Sequence, residues 1–262
     1  FVGTGSVSGA ILGFGAAGLL AQVTSPRNLV LAAAGVMLAA AALTFGVPEH
    51  KDTVEEEALG TIPLGEALAR PYVRLVALLL LVSTVALTFG DFLFKMAVAD
   101  AVDPEQLAET FAMLYLALNV ASLAVQVLLV GRVIRRAGVV VSLLALPLLM
   151  LFGAAGIMVG LGAGAAIALK GADSSLRHTL HRTAVELLFV PMPQRVQRGV
   201  KGLVDVFGQR GGQALASVLI LGALAAGATA PWLALGLLML LAAWVGIALK
   251  LRQPYVAVFR GT

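Results

Sequence analysis

The sequence predicts an all-α membrane protein, a bundle of eight transmembrane helices, and three observations predict it. First, 60% of its residues are hydrophobic and only 12% charged, with a mean hydropathy of +0.99, far outside the range of soluble globular domains. Second, apolar runs of about twenty residues recur along the whole chain, which is the helix length that crosses a hydrocarbon core of about 30 Å. Third, the runs lack the apolar/polar alternation of a barrel strand, and lipid leaves no water to satisfy an open backbone, so the spans must be helical.

The expected spans lie at 3–22, 28–47, 73–97, 107–131, 139–159, 161–190, 201–226 and 231–250. The first follows Phe1 with no initiator Met and no basic segment ahead of it, so it is not read as a signal peptide and the sequence is expected to lack its beginning. Its Gly5, Gly9 and Gly13 are spaced for close helix approach. Gly13, Gly15 and Gly18 match the dinucleotide-binding glycine pattern in form only, because no strand precedes them and no acidic residue follows at the right place. Prolines mark the other boundaries. Pro26, Pro48, Pro63, Pro71, Pro104, Pro191, Pro193, Pro231 and Pro254 fall between or beyond spans, and Pro147 alone lies inside one, where a kink is expected.

The formal charge of +4 does not point to nucleic acid, since Lys and Arg gather in short segments between apolar runs. Lys51, Arg70 and Arg74, then Arg132, Arg135 and Arg136, then Arg195, Arg198 and Lys201, then Lys250, Arg252 and Arg260 occupy alternate connections. Those connections are expected to be cytoplasmic, as are both ends of the sequence. The loop holding Asp100, Asp103, Glu105 and Glu109 is acidic, as an outer loop tolerates. The chain has no cysteine, which excludes a disulfide framework and a Cys-ligated metal. With only His50, His178 and His181 and no carboxylate cluster at ligand spacing, neither a metal nor another cofactor is expected.

The longest connection, 48–72, carries Glu55, Glu56 and Glu57 and divides the chain into two helices followed by six. Transporters of the major facilitator type join two six-helix halves by a long cytoplasmic loop. By that likeness, 1–47 is the end of an N-terminal half, 48–72 the central loop, 73–252 a six-helix C-terminal half and 253–262 a cytoplasmic tail. A self-contained eight-helix protein is the alternative.

Ionisable groups inside spans each cost roughly 2.5 to 3.5 kcal/mol at a helix centre, so they call for a reason. Lys170, Asp173 and Arg177 are three and four residues apart and share one face of the sixth helix, with His181 continuing the stripe. Lys170 lies about nine residues, or roughly 13 Å, from the outer end, close to the midplane. Lys170 and Asp173 either neutralise each other or form part of a positive face, with Arg177 left unpaired by anything local. On the seventh helix, Lys201 and Asp205 are an i,i+4 pair that suits structure or substrate. Arg210, about nine residues into that helix, stands beside Gly208, Gly211 and Gly212, which admit a neighbouring helix or a ligand; its planar fork suits phosphate or carboxylate. Asp91 and Lys95, also four apart, read either as a structural pair or as a gate or coupling group. Ser174 and Ser175 lie near His178 without an oxyanion hole or a positioned base, so no enzyme is expected.

The stretch from Thr183 through Glu186, Pro191, Lys201 and Asp205 to Arg210 resembles the signature of the ATP/ADP translocase family of plastids and intracellular bacteria. The run Gly90-Asp91-Phe92-Leu93-Phe94-Lys95 is similar to that family's seventh helix. The resemblance spans nearly the whole sequence, with a specific core of about thirty residues. It implies a bacterial homologue in the inner (plasma) membrane, with a major facilitator-like fold, exchanging adenine nucleotides by alternating access. Val185 stands where the family has Lys, and Gly199 and Val200 stand where it has Lys and Gly. Fewer positive charges imply a smaller or less charged substrate than ATP.

The expected function is therefore exchange of nucleotides or a related organic anion. Lys170, Arg177, Lys201 and Arg210 form the positive side of a cavity, Glu186 and Asp205 order it, and Asp91, Lys95 and Asp173 gate or couple. The expected partners are the anionic substrate, membrane lipid and further N-terminal helices of the same protein. A proton-coupled carrier of another solute, with Asp91 or Asp173 titrating, and a non-transporting membrane receptor are the alternatives.

Overall fold

The computed structural model describes residues 26–44, 64–193, 196–197, 200 and 204–260, with residues 9, 12, 13, 15, 16 and 19. Among them all regular structure is helical: α1 (Pro26–Thr44), α2 (Leu64–Ala69), α3 (Pro71–Ala101), α4 (Leu107–Val125), α5 (Gly131–Met158), α6 (Gly162–Leu176), α7 (Arg182–Phe189), α8 (Gly212–Ala225) and α9 (Ala230–Arg260). Three π-helical stretches interleave them: π1 (Gln126–Val130), π2 (Arg177–His181) and π3 (Val204–Gly211). Such wide turns are rare, and they tend to mark functional sites.

Four helical stretches among the described residues are long and apolar enough to cross a membrane: Pro71–Ala101, Leu107–Leu128, Val141–Met158 and Ala230–Leu251. These correspond to the expected third, fourth, fifth and eighth spans. The expected first span lies largely outside the described residues. The second is helical as α1, whose apolar stretch Val30–Ala42 is shorter than a crossing. The expected sixth span is realised as α6, π2 and α7 in succession, and it carries Lys170, Asp173 and Arg177. Of the seventh, 201–203 lie outside the described residues and the rest forms π3 and α8.

Local chemistry sets the helix ends. Arg70 is extended (φ −77, ψ 121) and Pro71 takes the first turn of α3, where its missing N–H would have no partner and its ring presets the helical φ. Gly160 (φ 87) and Gly162 (φ 57) allow the tight turn from α5 to α6, in a left-handed backbone that side chains disfavour. Two boundaries differ from expectation. Where a basic turn is expected around Arg132, Arg135 and Arg136, the backbone stays helical from α4 through π1 into α5. The expected tail stays helical too, α9 running past Pro254 to Arg260. Part of the expected 48–72 loop is the short helix α2.

Helix α3 is the axis of the bundle, packing against α6, α8 and α9, while α5 packs against α6 and α9. Its apolar window is 56% buried against 17% for that of α4, so α3 is central and α4 peripheral. Leu79, Leu93, Phe94, Leu143, Leu146, Met150, Leu169, Leu237, Leu241 and Trp244 fill the core. Helices α5 and α6 touch at their backbones: a Cβ on Gly153 would stand 2.6 Å from Leu169 Cβ and 2.9 Å from its Cα. Facing outward, Phe152, Val218, Leu221, Trp232 and Met239 are exposed, a surface that lipid covers favourably and water does not.

Candidate functional site

The buried charges converge between α3 and α6, with π2 below them. Lys170 Nζ lies 2.7 Å from Asp91 Oδ1 and 3.1 Å from Asp173 Oδ2. Lys95 Nζ lies 2.7 Å from Asp91 Oδ2, and Arg177 Nη1 lies 3.8 Å from Asp173 Oδ2. Three cations thus share two carboxylates, which leaves one positive charge in excess. Lys170 and Asp173 are buried, whereas the side chains of Asp91 and Arg177 are partly open and that of Lys95 is 54% exposed. The cluster is therefore wet at Lys95 and Arg177 and dry between them. Asp173 Oδ1 is buried and meets no hydrogen-bond donor among the described residues.

Backbone register brings these groups together. The three- and four-residue spacing puts Lys170, Asp173 and Arg177 on one face of the helix, and the face of α3 that holds Asp91 packs against it. Helix α4 runs alongside α6. Tyr115 places its ring 5.9 Å from Lys170 Nζ, Leu118 meets Gly171, and Ser122 Oγ donates to the Ser174 carbonyl at 2.8 Å. Tyr115 stacks on Phe111, and both present edges to Phe94. A cation against an aromatic face contributes from about 0.5 kcal/mol where water reaches it to about 2 kcal/mol where it is desolvated.

The structure corrects one expectation from the sequence. Arg177 is not left unpaired, since Asp173 lies within ion-pair distance of it. His181 is buried against Trp244, ring centroids 5.0 Å apart, with Nδ1 lacking a partner among the described residues.

Of the remaining site residues, Glu186 and Arg210 make no ion pair with the cluster among the described residues. Glu186 is exposed on α7, with Oε1 3.5 Å from Arg182 Nε. Arg210 is exposed in π3. The helix that approaches its glycines is α3, where Gly212 faces the Thr84 side chain, about two turns or ~10 Å along α3 from Asp91. Lys201 lies outside the described residues, and the Asp205 side chain does as well. Two features escaped sequence reasoning. The Asp91 to Lys170 pair joins residues 79 positions apart, which no local spacing reports. Tyr115 sits in a largely apolar helix, and its one signal was a polar ring in a span. Among the described residues no group of three or more His, Asp or Glu is placed to hold a metal ion.

Chemically, the cluster can hold an anion at its excess positive charge, and it can exchange partners, because each carboxylate is shared by two cations. No protein-family model and no curated protein matches this chain, so its likeness to the ATP/ADP translocases rests on the residues quoted for it.

Proposed function

We propose that the chain is part of a membrane carrier that exchanges nucleotides, or a related organic anion, by alternating access. In this reading it belongs to an eight-span piece of a major facilitator-like bundle in a bacterial inner membrane, with both ends cytoplasmic. The observation that supports it most is the excess cation in the cluster of Asp91, Lys95, Lys170, Asp173 and Arg177. A membrane penalises such a charge, and an entering anion neutralises it. Arg210 adds an exposed cation on π3, Tyr115 lies against the Lys170 ammonium, and by the likeness to the translocases Lys201, Glu186 and Asp205 belong to the same anion site.

Uptake of labelled ATP by proteoliposomes, preloaded with ADP or empty, tests the reading. Uptake that requires internal ADP is the expected result. No uptake in either preparation by folded protein, with phosphate and smaller anions also ignored, overturns it. Arg210→Ala should abolish uptake while leaving protein yield unchanged, because Arg210 is exposed and makes no ion pair among the described residues; uptake at the parent rate would remove Arg210 from the site.

A further inference from the structure

We propose that the groove between α5 and α6 binds one acyl chain of a membrane lipid, laid along α6 through half the thickness of the bilayer. The inference rests on the membrane-spanning helices and not on the carrier reading. The two helices run antiparallel from the turn at Gly160, so that Gly156 meets Ala165 and Gly153 meets Leu169. Glycine and alanine carry so little side chain that a trough of about 330 Å³ is left beside this contact. Its floor is buried Gly153 and Gly156 with part-buried Ala165 and Ala172. Its walls are Leu149, Phe152 and Leu161, whose side chains are 49%, 77% and 68% exposed. No polar side chain lines it.

Length, size and chemistry decide the occupant. Leu161 and Ala172 are eleven residues apart on α6, about 16 Å of helix, and the hydrocarbon of one leaflet is about 15 Å deep. A chain from one leaflet therefore runs the groove from the turn at Gly160 to its far end. A second protein does not suit it. Eight residues line the groove, against the roughly 20 to 30 a side that a stable protein interface uses. A helix of equal length, about 10 Å across, needs on the order of 1,200 Å³. Small residues bring helices together when they stand on the crest of a face, whereas here they lie on the floor, below Phe152 and Leu161. A polar ligand would lose its hydrogen bonds to water and gain none. An acyl chain is thin and apolar, follows the trough, and supplies the dispersion contacts that its walls lack. Ala168 also lines the groove. It and Ala172 stand two residues either side of Lys170, about 200° around the helix. The chain therefore backs α6 on the face turned away from the ammonium that Asp91 and Asp173 share.

The experiment is photolabelling of the full chain in phosphatidylcholine vesicles that contain a graded fraction of phosphatidylcholine with a diazirine on its acyl chain, the adducts being mapped by mass spectrometry. Val218 and Leu221 on α8 and Met239 on α9 are exposed and apolar, and they report the lipid that merely surrounds the protein. The expected result is labelling at Leu149, Phe152 and Leu161 several-fold above those three, reaching a plateau as the probe fraction rises while theirs grows in proportion. Ala168→Phe, which places a ring in the groove from an exposed position, should remove the excess and leave the three reference positions unchanged. Even labelling, or groove labelling that never saturates, means surrounding lipid alone and overturns the proposal. So does an excess that survives Ala168→Phe. A groove left unlabelled while Val218, Leu221 and Met239 are labelled is covered by protein, which overturns it as well. The saturation curve needs only the parent protein, so the test stands if the variant does not accumulate. ATP uptake has no part in the readout: a carrier without the plateau loses the groove, and a plateau without uptake keeps it.

Discussion

The middle of α6 and the end of the bundle formed by α7 and π3 use charged side chains to opposite effect. Around Lys170 and Asp173, lysine and aspartate are buried and held at 2.7 to 3.1 Å across two helices. At Arg182, Glu186 and Arg210 the charges are exposed, and the nearest ion pair is 3.5 Å long. A charge taken out of water must be matched, and an unmatched one is expensive, whereas a solvated charge has water as an equal partner. The first region therefore has its geometry imposed by the fold, and the second is free to rearrange around whatever reaches it. Substitutions in the two regions should differ accordingly.

The largest effect is expected at Lys170. Lys170→Met keeps the aliphatic stem but strips Asp173 of its nearest cation, leaving a buried carboxylate with only Arg177 at 3.8 Å. Breaking one side of such a pair costs about 3 to 5 kcal/mol, which should appear as a lowered unfolding midpoint in detergent. The double variant Lys170→Met, Asp173→Asn should recover much of the loss, because the buried carboxylate is gone and Arg177, which loses its partner, keeps a partly exposed side chain. A single variant as stable as the parent would show that water already reaches Asp173, and the contrast between the regions would fail.

A smaller effect, in the same part of the molecule, separates packing from charge. Gly153 lies against the Leu169 backbone, one residue from Lys170. An alanine there must push α5 off α6, which costs about 1 to 3 kcal/mol and shifts Lys170 relative to Asp91. Gly90 makes a useful control. Its added methyl would meet the tips of the Met150 and Leu169 side chains, at 2.9 and 3.0 Å, and a methionine end moves more readily than a backbone. Gly153→Ala should therefore lose more stability than Gly90→Ala when their unfolding midpoints are compared.

How much of this was legible in the sequence follows from the range of each signal. Apolar run length located α3 closely, 73–97 expected against Pro71–Ala101 observed, because membrane thickness sets that length. Three- and four-residue spacing put Lys170, Asp173 and Arg177 on one face, since one turn of helix determines it. The pairing of Asp91 with Lys170 was not legible, as it depends on how α3 and α6 meet in space. The packing of His181 against Trp244 was not legible either, as it depends on where α9 meets the rest of the bundle. The helical backbone across Arg132 to Arg136 is a further departure: basic residues mark the side of a membrane, but they do not require a loop.

The smallest effect is expected at α7. Glu186 and Arg182 are four residues apart on α7, both more than half exposed, with 3.5 Å between the charged atoms. Exposed pairs of this kind contribute about 0.3 to 0.5 kcal/mol, and salt screens them. Glu186→Gln should leave the unfolding midpoint within error of the parent, and raising the salt concentration should erase any difference that remains. If Glu186 orders an anion site, its effect should appear instead in ATP exchange, as a change in the concentration needed for half-maximal uptake. A large loss of stability that persists in high salt would mean that Glu186 is gripped in the folded protein as firmly as Asp173, and that the α7 end is built like the middle.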